Sequence, residues 1–530
     1  MSTSTEAQGS ADGEHILRPR AVKPFDSHLL RPQDDDGSVG LAEGGNSDVS
    51  SGRSTPLPPD APPSAKSISS ARRHIKAQQK QRIFPTIDYA PRVSHFDPAS
   101  EHRDFRGFFV LFWIGLAIMV ITTMLRNYKD TGNPMRRRIW SLFAIDIWQL
   151  GVSDVAMVAS TSISLPLHLV FRSSNGWLSW GKAGMVIQSL YQAAWLVFWV
   201  SWPFILDWTW TAQVFFTLHT LSLIMKMHSY AFYNGHLSET QHRLSALDKP
   251  DSASTASVYR YPKSSSHLRE EYAESEAKEK RKDRSLASLR EDLAMELISP
   301  LGGVIYPQNL TVGNYADYLL CPTLCYELEF PRTEKIRWIE VMWKTLAVFG
   351  CIFLLTLISE EFILPVLIDS AFNLEHVGSL SEAGFILAES ISLLLFPFIA
   401  IFLLVFLVIF EYVLGAFAEI TRFSDRAFYD DWWNSNDWLE FSRQWNIPVH
   451  NFFRRHVYAA SRPHMSRSVA TFITFLISAF AHELVMACIT KKARGYGFLA
   501  MMLQLPIVTV QRTRWMRGRK LFNVRPIDDG

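Results

Sequence analysis

Cysteine is scarce in this chain, with four residues at 321, 325, 351 and 488. Cys321 and Cys325 have no His or Cys partner at zinc spacing, which excludes a zinc module and leaves four free thiols without a disulfide framework. A leading secretion signal is also lacking. The N-terminus runs Met-Ser-Thr-Ser-Thr-Glu with no apolar core, so the first membrane span is expected to act as the insertion signal and the tail before it to stay cytosolic. A large excess of charge of one sign is missing as well: the formal net charge of +2 gives no argument for nucleic-acid binding. Nor is there an internal repeat, a coiled-coil heptad, a Gly-rich phosphate loop or paired broken helices in corresponding halves, which argues against a repeat-built transporter.

What the chain does have is segregation. Charged residues make up 20% of it and hydrophobic ones 48%, unremarkable averages that hide long uncharged windows. Residues 1–100 are rich in Ser, Pro, Gly and Asp, and cannot bury enough apolar surface to offset their ordering entropy, so a disordered cytosolic tail is expected there. Within it the basic run 71–82 is placed to lie near anionic lipid, or simply to be solvated. A second polar stretch, 236–300, reads as a charged cytosolic insert, with a surface helix at 268–297 built on i,i+4 charge pairs. Asn309-Leu-Thr311 fits a glycosylation sequon, a pattern that short sequences meet by chance.

The apolar windows are of membrane-crossing length. Spans are expected at about 105–125, 147–171, 183–202, 204–225, 339–358, 385–410, 469–489 and 496–510, with Pro203 separating the third from the fourth and Glu360-Glu361 ending the fifth. Asp154 and the Ser/Thr residues of the second span should face protein rather than lipid. Asp207 and His219 are read as packing residues of the fourth. Residues 306–338 are read as interfacial, and 434–455 as helix and loop at the membrane surface. The fold class is therefore an all-α polytopic membrane protein, with residues 101–530 as its membrane domain.

Two stretches break this apolar background. Ser478-Ala-Phe-Ala-His-Glu483 puts His482 and Glu483 in mid-span, where ionisable side chains are costly and by default functional. On a helix Phe475, Ser478, His482, Val485 and Met486 share a face. Burial there disfavours imidazolium, leaving a neutral base for a hydroxyl proton. Glu483 points elsewhere, to orient backbone, bind substrate or pair with a cation. The alternatives are a His and Glu that tie helices together, or a metal site, which would need two further ligands. The other stretch is Phe428-Tyr-Asp-Asp-Trp-Trp-Asn434. Asn434 is an amide donor suited to a developing oxyanion, and the Trp rings suit a chain-lined channel. An interfacial aromatic belt with a helix cap explains that composition equally well.

These residues resemble a known family. Phe428–Asn434 is similar to the FYxDWWN signature of the sterol and diacylglycerol branch of the membrane-bound O-acyltransferases. The segments 445–450, 455–458, 478–483 and 501–506 follow in that family's order, and Phe105-Arg-Gly-Phe108, 322–327 and 330–332 extend the resemblance upstream, so that it covers about 105–520. Lys226-Met-His-Ser-Tyr230 resembles the sterol branch, and 441–450 with the charged insert resembles fungal sterol-esterifying enzymes.

The resemblance implies a helical bundle around a reaction chamber, with His482 as catalytic histidine and Asn434 as its partner. It implies substrate-binding roles for Phe428, Tyr429, Asp431, Trp433, His450, Ser478, Glu483, Met501 and Gln504. It implies a fatty acyl-CoA donor as co-substrate, no metal or other cofactor, residence in the endoplasmic reticulum membrane, and a homo-oligomer, dimer or tetramer. The expected acceptor is a sterol such as ergosterol or a precursor. Diacylglycerol is the alternative acceptor, and a non-catalytic sterol or acyl-CoA binder the alternative class. Arg443, Arg454 and Arg455 are candidates to meet the CoA phosphates. Where the family continues with further apolar spans, this sequence turns polar at Arg525-Pro-Ile-Asp-Asp-Gly530, so a truncated C-terminal end is expected.

Overall fold

A computed structural model describes residues 87, 89–97, 100, 106–134, 145, 147–174, 176–247, 289–435 and 437–511. The expectations for residues 1–86, for the first part of the 268–297 helix and for the chain end beyond 511 lie outside the described residues.

The described chain is helical, with isolated bridges in place of strands. In order the helices are α1 (Arg106–Thr131), α2 (Ile147–Thr161), α3 (Ser164–Ser173), α4 (Met185–Ile205, entered by a π turn at Trp180–Gly184) and α5 (Trp210–Leu247). Then come α6 (Val312–Leu320), α7 (Trp338–Ile358), α8 (Leu364–His376), α9 (Leu380–Phe406), α10 (Leu414–Ile420), α11 (Trp438–Gln444), α12 (Ile447–Phe452), α13 (Arg467–Thr490) and α14 (Tyr496–Gln511). Among the described residues, six runs are long and apolar enough to cross a membrane: α1, α2–α3, α4 with its π turn, α7–α8, α9–α10 and α13.

Helix α5 is the hub, packed by α2, α3, α4 and α13. Its 38 residues extend ~57 Å at ~1.5 Å each, well beyond the ~30 Å of a hydrocarbon core. It is absent from the crossing set because its own composition is mixed: Gln213, Thr217, Thr220, Ser229 and Asn234 are all buried on it, covered by neighbouring helices rather than lipid. Ser160 of α2 shows how such polar groups are met, its hydroxyl accepting from the indole N–H of Trp195 at 2.7 Å and of Trp199 at 3.1 Å. Gly235 is a close approach: a Cβ there would sit 2.0 Å from the Trp180 ring.

The structure corrects several expected boundaries. Pro203 separates the third and fourth spans as expected, lying in the last turn of α4 two residues before its end, where its main-chain oxygen accepts from Trp208 N. The chain turns over 206–209, with Asp207 at φ +51° and outside any helix, and α5 starts only at Trp210. Glu360 and Glu361 do not stop α7. The helix passes through them as a π turn, Ser359–Ile363, and Glu361 accepts from Asn127 of α1 at 2.8 Å. His219 is a satisfied packing residue as expected, paired with Asp154 of α2 at 2.6 Å between helices.

Two segments expected to be solvated are packed. The polar insert begins only after α5 has run through residues 236–247, and Leu293, Glu296 and Leu297 at its far side are buried. Residues 87–97, expected in the disordered tail, form a strap over the fold. Arg92 pairs with Asp425 through two contacts at 2.9 and 2.6 Å, and main-chain bonds join Arg92 to Ser424 and Arg426. The segment 306–338 is not simply interfacial: Tyr315, Tyr318, Cys321 and Tyr326 are buried against α5. Asn309 is 2% exposed and donates to Asn234 and Tyr326, which takes it out of reach of glycosylation. All four cysteines are free and buried.

Candidate active site

His482 sits on α13, a helix begun by Ser466, whose hydroxyl accepts from Val469 N, and ended by Lys491 in a left-handed conformation. Its Nδ1 lies 2.8 Å from the main-chain oxygen of Ser478. A carbonyl only accepts, so Nδ1 carries a proton here, and the tautomer this selects has its lone pair on Nε2. The expected enclosure of His482 is not made by the described residues, among which its side chain is exposed. The reason is packing direction. Helix α13 meets α5 through Cys488 and Thr217 (3.2 Å), meets α14, and meets the π turn Phe453–Ala459, and these contacts leave the His482 face open. Ser478 is partly buried on the same helix face.

Glu483 turns away to the start of α14. Its carboxylate accepts from the amides of Gly495 (2.6 Å), Gly497 (2.9 Å) and Phe498 (3.2 Å). These are the orphan donors of a helix N-terminus, where a negative charge is favoured. Of the roles open to it in the sequence, this is the orienting of backbone. Gly497 makes the approach possible, since a Cβ would sit 3.0 Å from the His482 oxygen. On α14, Met501 and Gln504 are half-buried, and the Gln504 amide lies 3.4 Å from the Met501 sulfur.

The Phe428–Asn434 stretch divides in two. Phe428 and Tyr429 are 4% and 3% exposed, in the main aromatic core with Phe406 and Phe410. Tyr429 reaches Glu411 at 3.4 Å and Ser94 at 3.3 Å, and Glu411 pairs with Lys344 of α7 at 3.0 Å. Burial and the Glu411 carboxylate hold the Tyr429 phenol well above its ordinary pKa. Both rings are buried, Tyr429 among Phe406 and Phe410, while Phe428 also lines a small cavity with Tyr89, Thr323 and Asn451. Trp433 and Asn434 are exposed on a 3₁₀ turn, Trp432–Asn434. Asp431 shapes that turn, its main-chain oxygen accepting from Asn434 N at 2.9 Å and its carboxylate lying 3.5 Å from the Asn434 amide.

Helix α14 links the two stretches. It packs on α13 beside His482 and on α11, which also touches the 432–434 turn, and Gln511 at its end accepts from Trp438 N at 3.4 Å. No hydrogen bond joins His482 to Asn434 among the described residues.

His450 on α12 is partly buried. Burial, then the charges of Arg443 and Arg454, pull its pKa down to about 4, so it is neutral at physiological pH. Arg443 and Arg454 are exposed beside it. Arg455 is not available to a phosphate. It is 3% exposed, donates to Glu327 at 2.9 Å and to the Tyr326 oxygen at 3.0 Å, and lies over the Tyr233 ring.

The structure also gives roles to residues that the sequence left unassigned. Lys226 donates to the oxygens of Tyr318 and Cys321, and the Ser229 hydroxyl accepts from Tyr326 N and contacts His456. The motifs around 226–230, 322–327 and 455 are thus one buried joint. Their signal in the sequence was the presence of Lys and Arg beside apolar runs.

A family model described as MBOAT, membrane-bound O-acyltransferase family, matches residues 194–525. The chain is 35% identical over 457 residues to the protein named Probable sterol O-acyltransferase 2 of Schizosaccharomyces pombe, covering 84% of this chain and 89% of that one. It is 34% identical over 464 residues to Sterol O-acyltransferase 2 of Candida albicans, covering 83% and 75%. The chain belongs to the membrane-bound O-acyltransferase family. It is, with its six apolar helices, a polytopic membrane protein. A shorter similarity, 34% over 229 residues, links it to Diacylglycerol O-acyltransferase 1 of Dictyostelium discoideum, covering 43% of this chain and 36% of that one. Within this membrane-bound O-acyltransferase, Phe480, His482, Trp433 and Asn434 are the exposed members of the two candidate stretches, whereas Phe428 and Tyr429 are buried and Glu483 holds the start of α14.

Proposed function

We propose that the protein is a sterol O-acyltransferase that moves a fatty acyl group from acyl-CoA to a sterol hydroxyl, ergosterol or a precursor, to form a storage ester. The observation that carries this is the extent of the likeness. Proteins named for sterol acylation align over more than four-fifths of the chain, while the diacylglycerol enzyme aligns over 43%.

In the reaction, Nε2 of His482 takes the proton of the sterol hydroxyl as its oxygen attacks the thioester carbonyl. The C–O bond forms, and the carbonyl becomes an oxyanion that the Asn434 amide stabilises by donating to it. Collapse breaks the C–S bond. CoA leaves as thiolate and receives the proton from His482, so the histidine ends neutral and no acyl-enzyme forms. Ser478 keeps the tautomer correct throughout, because its carbonyl holds the Nδ1 proton. Trp433, Met501 and Gln504 line the acyl and sterol path, Asp431 holds the Asn434 turn, and His450 with Arg443 and Arg454 receives the CoA head group. The reaction draws on no metal or other cofactor. We place it in the endoplasmic reticulum membrane, as a dimer or tetramer.

The test is a microsomal assay in cells without native activity, with labelled oleoyl-CoA and each acceptor in turn. Sterol ester formed in preference to triacylglycerol supports the reading. Triacylglycerol alone would move the acceptor to diacylglycerol, and binding without turnover would make the protein a non-catalytic binder.

A further inference from the structure

The strap at residues 87–97 touches the fold where the 428–434 stretch turns toward Asn434. His95 is 12% exposed, and its Nε2 lies 3.4 Å from the Asp430 carboxylate. Its ring contacts both Tyr429, at 5.4 Å between centroids, and Trp433, at 6.0 Å. Ser94 beside it donates to Glu411, the carboxylate that also meets Tyr429 and Lys344. Phe96 packs on Tyr429 and on Phe109 of α1.

On its other side the same stretch is tied to α11 and α12. Asp430 N donates to the Gln444 oxygen at 2.9 Å, Ile447 N to the Phe428 oxygen at 3.0 Å, and Ser435 to the Gln444 side chain at 2.8 Å. The turn that carries Trp433 and Asn434 therefore hangs between two clamps. One comes from the elements that follow it in the chain. The other comes from a strap more than three hundred residues earlier in the sequence.

We infer that His95 is a positioning residue for acyl transfer, holding the Asp430–Asn434 turn through its contacts with Asp430 and Trp433 so that the Asn434 amide is aimed at the reacting carbonyl. This rests on the role proposed above for Asn434. A donor aimed at an oxyanion acts only within a narrow geometry, so a small displacement lowers turnover without removing the binding surface. His95 touches no reacting atom. It works from behind the turn.

The test uses the full chain in nanodiscs, with His95→Ala, His95→Gln, Asp430→Ala and the double variant His95→Ala/Asp430→Ala. Gln keeps an N–H donor at nearly the place of Nε2. Expected for His95→Ala is a kcat about tenfold or more below wild type, with the KM for acyl-CoA and the thermal midpoint near wild type. His95→Gln should recover most of kcat, and the double variant should be no worse than His95→Ala, the signature of coupled residues. Amide exchange across 430–435 should quicken in His95→Ala and be restored in His95→Gln. That readout does not depend on which acceptor is used. If wild type esterifies no sterol while the exchange pattern holds, the functional reading fails and the clamp stands. Unchanged kcat and unchanged exchange in His95→Ala would overturn the inference. So would equal losses in His95→Ala and His95→Gln that track the amount of folded protein.

Discussion

Nδ1 of His482 lies 2.8 Å from the main-chain oxygen of Ser478, one helical turn earlier on α13. This contact selects the tautomer with its lone pair on Nε2, the nitrogen that the proposed reaction uses as base. It lets a helix do for one histidine what an orienting carboxylate does elsewhere, and leaves the neighbouring carboxylate, Glu483, free for another task. That task is to hold the next helix, and the chemistry of the first stretch then depends on how α14 is seated.

Replacing Glu483 should loosen the start of α14. Glu483→Ala removes the acceptor for three amides, those of Gly495, Gly497 and Phe498. Hydrogen exchange at those amides should quicken in Glu483→Ala, with a smaller change in Glu483→Gln, whose carbonyl still accepts. Turnover should fall with the same ordering. Unchanged protection in Glu483→Ala would show that α14 is seated by other contacts.

The buried pair of Arg455 and Glu327 should be costly to break. Their side chains are 1% and 3% exposed, and removal of one partner strands the other without solvent, at about 3–5 kcal/mol. Arg455→Ala should therefore lower the thermal midpoint in detergent sharply. Arg455→Met combined with Glu327→Gln should lower it less, because no charge is left behind. Equal losses in the single and double variants would contradict a charge-pairing role.

Acid should destabilise the fold through His450. Its pKa lies at about 4 rather than the ordinary 6.5, chiefly through burial, so the unfolded chain takes the proton first as pH falls. Stability should be level above pH 6.5 and decline as pH drops from there toward 4. His456, also pulled well down by burial, adds in the same direction. Thermal midpoints measured across this window should fall less steeply in His450→Gln than in wild type.

Much of the fold was legible because membrane crossing leaves a coarse signal, about twenty apolar residues without charge. Helix α13 begins and ends within about two residues of its expected span, and α1 and α7 begin within about one residue of theirs. Pro203 marked a real break, since α4 ends two residues beyond it. Glu360-Glu361 misled because a π turn carries the helix through them unbroken. Helix α5 was read as too short because its second half is polar, and that polarity is met by the tyrosine-rich segment 315–326, which lies far along the chain. No local pattern announces such a partner. The same limit hid the strap at 87–97, whose Ser, His and Arg look solvated until Asp425, Asp430 and Glu411 are placed beneath them.

For the site, the two informative stretches stood out because ionisable and amide side chains are rare beside apolar runs. Their internal division did not. Phe428 and Tyr429 look as open in sequence as Trp433 does, and only the structure shows that they are buried, Tyr429 against Phe406 and Phe410, while Trp433 is exposed.

The central claim is that the Nε2 lone pair of His482 takes the acceptor proton. The most direct measurement is single-turnover ester formation from labelled oleoyl-CoA and sterol in membranes carrying His482→Ala, with protein amount and acyl-CoA binding measured in parallel. The account predicts undiminished folded protein and acyl-CoA binding with sterol ester lowered at least about a hundredfold, the size of a lost general base. Ester formation at the wild-type rate in His482→Ala would contradict it.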